Sequence, residues 1–152
     1  MDKISCKIRL AEKKETADCI KMSRTSWPDW WRKNERSGKR HIAECVEAKR
    51  CLVAESDREI IAFVVWGNLW SKIHLQDIFV KEKYRRSGIG KSLIEKAIEI
   101  AKKNGHREII SDCDVGNKAS VFFHLKNGFK KCGYIKNNWG SESSYVFSRE
   151  IS

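Results

Sequence analysis

Between residues 72 and 104 the chain passes from an alternating apolar run, KIHLQDIFV, through the turn YRRSGIGKS (84–92) into SLIEKAIEIAKK, whose apolar residues recur at helical spacing. A strand, a glycine turn and a helix in that order constrain the fold and suggest a ligand. Gly88 and Gly90 allow the backbone close to an anion, and the opening turn of the helix presents unpaired N–H groups at its positive end. Arg85 and Arg86 add charge-assisted hydrogen bonds. A nucleoside-triphosphate loop of the form G-x-x-x-x-G-K-[ST] would need glycine at position 85, where Arg85 stands. The dinucleotide fingerprint G-x-G-x-x-G fails at Leu93. By itself the turn is equally compatible with a solvated basic loop ahead of an ordinary helix.

The remaining chain supplies alternating elements around this unit. CKIRLAEKK reads as a first strand and TADCIKMSRTSW as a helix, with Pro28 marking a break or a helix start. PDWWRKNERSGKRHIAECVEAKR reads as a second helical region interrupted near Gly38. CLVAESDREIIAFVVWGNLW gives two strands about a Ser-Asp-Arg-Glu turn. After the central helix, from about Gly88 to Asn104 and closed by Gly105, come a strand in REIISDCDV and a short helix in NKASVFFHLKNG. The strands FKKCGYIKN and SSYVFSREI finish the chain. With 152 residues, 41% of them hydrophobic, the expectation is one α/β domain of mixed topology over 1–152.

Bulk properties narrow the function classes. No segment reaches the roughly 20 apolar residues needed to span a bilayer, so no membrane association is expected. MDKISCKIRL lacks a signal-peptide core, and the expected location is cytoplasmic. Six cysteines without a C-x-x-C pair or finger-like histidines point to reduced, packed thiols and to no metal site. A net charge of +11 favours anionic ligands, either nucleic acid or a phosphorylated carrier. No basic run exceeds two residues and no RNP-type motif is present, so nucleic acid is not expected as a partner.

Two segments together resemble the GNAT superfamily of acyl-CoA-dependent N-acyltransferases. DIFVKEKYRRSGIGKSLI is similar to its pyrophosphate motif [QR]-x-x-G-x-[GA] through Arg85, Gly88 and Gly90. NKASVFFHLKNGFKKCGY is similar to the helix–turn–strand motif that follows it, through Asn117, Gly128 and Phe129. The match spans about residues 74 to 135. The resemblance implies the GNAT fold: a central mixed, mostly antiparallel β-sheet flanked by helices and splayed at the cofactor site, between KIHLQDIFV and REIISDCDV. It also implies acetyl-CoA as co-substrate. Ile78, Phe79 and Val80 would bond the pantetheine arm as a strand would. Arg85 and the turn Arg86, Ser87, Gly88, Ile89, Gly90, Lys91 and Ser92 would hold the pyrophosphate, with Asn117 and Phe123 beside the arm.

Acyl transfer to an alkylamine of pKa about 10.4 needs a base, and the leaving thiolate needs a proton. The position five before Asn117, where relatives often carry a glutamate, holds Asp112. One methylene shorter, it is expected to act through water. His74, Asp77, Asp114 and Glu44 are rival bases. The position seven after Asn117, usually tyrosine, holds His124, whose imidazole is the expected donor to the sulfur; packing against Phe122, Phe123 and Phe129 is its structural alternative. Cys113 reads as packing.

The acceptor side should involve Trp27, Trp30, Trp31, Trp66, Trp70 and Trp139, with at least one member of W-P-D-W-W at a surface, groove or interface. The resulting expectation is an N-acetyltransferase acting on a primary amine, of a small molecule or alternatively of a protein, by direct attack in a ternary complex. A non-catalytic acyl-CoA-binding module is the other reading, and a homodimer is compatible with the exposed tryptophans.

Overall fold

A computed structural model describes residues 4–152. Seven strands form one sheet in the order β1-β2-β3-β4-β5-β7-β6. Strands β1 (Lys7–Leu10), β2 (Cys51–Ser56), β3 (Glu59–Leu69) and β4 (Lys72–Val80) pair antiparallel in succession. β5 (Glu108–Asp114) lies parallel to β4, and β7 (Glu142–Glu150) antiparallel to both β5 and β6 (Lys130–Trp139). The expected mixed, mostly antiparallel sheet is therefore present. The β2–β3 hairpin turns through Asp57 and Arg58, both at positive φ (49° and 63°), which matches the right-handed twist of the flanking strands.

Two apolar clusters sandwich the sheet. On one face α4 (Ile89–Lys103) seats Leu93, Ile94, Ala97 and Ala101 against Leu52, Val64, Leu75 and Ile109. α5 (Lys118–Lys126) adds Val121 and Phe123 to this cluster. On the other face α1 (Thr16–Ser23) and α3 (Glu35–Glu47) set Cys19, Met22, Ile42 and Cys45 against Val53, Phe63, Val65 and Phe79. Gly105 ends α4 at φ +80°, the left-handed position of a helix C-terminus.

The second helical region breaks at a different residue from the one expected. α2 (Asp29–Lys33) stops at Asn34, and Gly38 lies inside α3. The reason is packing, because a Cβ on Gly38 would stand 2.8 Å from the Trp27 ring. The glycine admits the indole rather than breaking the helix.

No described helix is long and apolar enough to cross a membrane. The six cysteines are free; five are buried or half-buried, and Cys132 lies exposed on the edge strand β6.

Candidate active site in the split sheet

β4 and β5 pair only at Ile73–Ile109, His74–Ile110 and Leu75–Ser111. Beyond Leu75 they diverge, and the β5-facing edge of β4 from Gln76 to Val80 has no strand partner. This wedge is the splay that the family resemblance implied. A bulge at Gln76 sits at its fork, because β3 pairs Val65 with Asp77 but Trp66 with Leu75. The extra residue shifts the alternation of side chains. Ile73 and Leu75 pack on the α4 face before it, Ile78 and Val80 after it. His74 and Asp77, three residues apart, thereby come to the same face, the one covered by α1 and α3.

The same alternation on β5 divides two adjacent residues. Ile109 and Cys113 belong to the α4 cluster and Ser111 bonds α5, so Asp112 faces the opposite way, toward His74. His74 Nε2 lies 2.6 Å from Asp112 Oδ1. A carboxylate offers only acceptors, so Nε2 carries the hydrogen and Nδ1 of the neutral ring keeps its lone pair. Asp77 completes an acidic pocket. Burial, helped by the charge of Asp112, pushes its carboxyl up to about 7.

The elevated carboxyl predicts a pH-dependent stability. The folded state holds the Asp77 proton more tightly than the unfolded chain, so its contribution is complete below about pH 4 and declines as pH rises toward 7. Asp77→Asn is expected to gain about 4 kcal/mol over wild type at pH 8 and under about 1 kcal/mol at pH 4, read from urea midpoints. An equal effect at both pH values would exclude ionisation as the cause.

The glycine turn follows β4 through one 3-10 turn, Glu82–Tyr84. Arg85 Nε donates to Val80 O at 2.9 Å and its guanidinium lies 5.6 Å from the Phe79 ring centre, which ties the turn to the end of β4. Ser87 Oγ donates to Tyr84 O. Gly88 caps α4 at φ +84°, with open space where a side chain would project. The first backbone bond into the helix runs from Ser92 N–H to Gly88 O at 3.0 Å, so the preceding N–H groups point out of the helix end. Gly90 is small for a second reason: a Cβ there would stand 3.0 Å from the Phe123 ring. Phe123 thus packs the turn against α5.

A pyrophosphate fits this cradle. Ile89 and Gly90 are buried at the helix start, while Arg86, at φ +60°, and Lys91 are exposed and supply positive charge. Asn117 caps α5, its side-chain oxygen accepting from Ser120 N–H at 3.0 Å.

His124 is seated otherwise than a donor open to the leaving sulfur would be. It is 3% exposed, on the α4 face. Nδ1 lies 2.7 Å from the Ser120 carbonyl and therefore donates, while Nε2 accepts from Ser111 Oγ at 2.8 Å. The ring stacks on Phe147 at 4.6 Å and meets Phe129 and Phe123 edge-on. Burial pushes its pKa below the ordinary 6.5, against a smaller upward pull from the Ser120 bond. Both nitrogens are engaged inside the protein. Of the other residues considered as bases, Asp114 accepts from Gly116 N–H at 2.7 Å in a turn. Glu44 pairs with Arg40 on the outer side of α3.

The tryptophans of α2 meet the β6–β7 hairpin. Trp31 and Trp139 are 5.2 Å apart edge-to-face, Trp30 and Trp139 6.1 Å, and Trp31 and His41 5.4 Å. Trp30 remains 42% exposed, as W-P-D-W-W required of one member, whereas Trp27 is buried against Gly38. Sequence order concealed two features here: the pairing of His74 with Asp112 and the arrival of Asp77 on the same face, which depends on the Gln76 bulge.

Comparison with known proteins agrees with this geometry. An uncharacterized N-acetyltransferase of Methanocaldococcus jannaschii is 40% identical over 62 residues, 41% of this chain and 27% of that protein. An N-alpha-acetyltransferase of Sulfurisphaera tokodaii is 26% identical over 65% of this chain and 68% of its own length. A spermidine N(1)-acetyltransferase of Thermoplasma acidophilum is 26% identical over 84% of this chain and 89% of its own. Among solved structures, the PaiA N-acetyltransferase of Thermoplasma acidophilum in complex with coenzyme A superposes with a TM-score of 0.79 at 22% identity, covering 97% of this chain and 99% of that one. The model of the acetyltransferase (GNAT) family matches residues 17–129. With the wedge, the glycine turn and the strand order all in place, the chain belongs to the GNAT family of acetyltransferases.

Proposed function

We propose that the protein transfers the acetyl group of acetyl-CoA to the primary amine of a small molecule, by direct attack within a ternary complex. The observation that carries this reading is the His74–Asp112 pair at the fork of the wedge, beside an unpaired β4 edge that ends in a cationic glycine turn. The turn holds the pyrophosphate. The backbone of Ile78, Phe79 and Val80 extends along the pantetheine as a neighbouring strand would.

Asp112 accepts the N–H of His74 and leaves Nδ1 to take a proton from the incoming ammonium, directly or through one water. The freed amine attacks the thioester carbonyl, the C–N bond forms and the C–S bond breaks. The second proton, shed by the nitrogen as it becomes an amide, goes to the departing thiolate, and the proton held on His74 is released to solvent. Asp112 is thus a base acting through an imidazole, and His124 a positioning residue that fixes Ser111 at the fork from the opposite face.

Two observations support a small acceptor. Trp30, Trp31 and Trp139 form an aromatic cluster between α2 and the β6–β7 hairpin that suits a small cationic amine, and the spermidine N(1)-acetyltransferase relative aligns over most of the chain. The S. tokodaii relative favours a second reading, the amino terminus of a protein. Thiol release from acetyl-CoA, measured with spermidine, with small mono- and diamines and with a hexapeptide bearing a free amino terminus, tests both. Turnover of the small amines alone is the expected result; turnover confined to the peptide would replace the first reading by the second. Coenzyme A binding by calorimetry without turnover of any amine would reduce the protein to a binding module.

A further inference from the structure

The site contains a histidine that the proposed chemistry leaves idle. His41 lies on α3, one turn before Cys45, whose thiol contacts Trp66 O. Its ring rests on Trp31 at 5.4 Å between centroids and an interplanar angle of 52°. Its Nε2 is buried and has no hydrogen-bond partner among the described residues. A buried ring nitrogen left unpaired is destabilising, so such an atom calls for a partner that arrives from elsewhere.

The surroundings indicate what arrives. His41 stands close enough to Arg50, Glu44 and His74 for their charges to bear on its own protonation, with burial the largest influence and favouring the neutral ring. It packs against the tryptophan cluster through Trp31, on the helix that covers the same face of the sheet as His74. A neutral imidazole can accept a hydrogen bond from an amine that a cation would repel.

We infer that His41 Nε2 is a binding group for the acceptor, taking an N–H of a primary amine whose aliphatic body lies along Trp31. This rests on the acetyltransferase reading of the same site. It adds that specificity for the amine is set from α3 as well as from the split strands. An amine lying along the Trp31 face would come within reach of His41. His41 touches the acceptor but exchanges no proton in this scheme, so its loss should weaken acceptor binding and spare the chemical step.

The test is steady-state kinetics on His41→Phe, which preserves the stacking on Trp31 and removes the nitrogen, and on His41→Gln, whose amide can again meet an N–H. With spermidine, or whichever amine of the panel wild type acetylates, His41→Phe is expected to raise the acceptor KM about tenfold, for one lost hydrogen bond. The KM for acetyl-CoA and kcat should stay within about twofold, and His41→Gln should recover most of the loss. An acceptor KM unchanged in His41→Phe overturns the inference while leaving the acetyltransferase reading intact. Absence of turnover by wild type with every amine overturns both.

Should His41→Phe fail to fold, the 15N signal of the wild-type ring decides. A shift of Nε2 on adding the amine to the coenzyme A complex supports the contact, and an unmoved signal at saturation refutes it.

Discussion

Asp112→Asn is expected to lower kcat by about 10²- to 10³-fold, with acetyl-CoA affinity by calorimetry unchanged within about twofold. The asparagine can still receive the His74 N–H through its carbonyl, so the ring stays in place. What it lacks is the negative charge that stabilises the imidazolium once the amine has given up its proton. The loss should be greatest below the pKa of the amine, where deprotonation is required, and should shrink as pH approaches about 10 and the amine deprotonates unaided. A variant within threefold of wild type at pH 7 would remove Asp112 from the reaction and leave His74 or Asp77 as the proton acceptor.

His124→Ala is expected to cost the fold about 3–4 kcal/mol and to leave kcat per folded molecule nearly intact. The substitution empties a ring-sized space against Phe147, Phe129 and Phe123, and leaves the Ser120 carbonyl and the Ser111 hydroxyl without their partner. Urea unfolding with and without coenzyme A measures the first effect, and thiol release at a temperature where the variant is folded measures the second. The opposite pattern, a stability change under about 1 kcal/mol with a collapsed kcat and a displaced alkaline limb, would restore His124 as donor to the leaving thiolate.

The two substitutions separate what motif position implies from what packing imposes. Asp112 and His124 were both singled out by their distance from Asn117, and both stand in or beside the wedge. They face opposite sides of the sheet, because Asp112 is one residue past Ser111 on a strand while His124 comes back to Ser111 from a helix. Spacing along the chain cannot distinguish a histidine open to the ligand from one with two internal hydrogen bonds, since that difference lies in partners 4 and 13 residues away.

Local chemistry made much of the rest legible. The Asp57–Arg58 hairpin, the limits of β4, the glycine that opens α4 and the glycine that closes it all follow from backbone preferences acting over a few residues. Gly38 shows the limit of that reasoning, since helix propensity marks it as a break whereas the Trp27 ring requires it as a gap.

By itself, then, the sequence determined the order of strands and helices and the position of the glycine turn, because periodicity and glycine stereochemistry act locally. The tertiary structure alone decided which side chains share the site. A single extra residue at Gln76 inverts the alternation of β4 and brings Asp77 to the side of His74, where Asp112 meets them from β5. That outcome is set by register and long-range packing, which no short window of residues encodes.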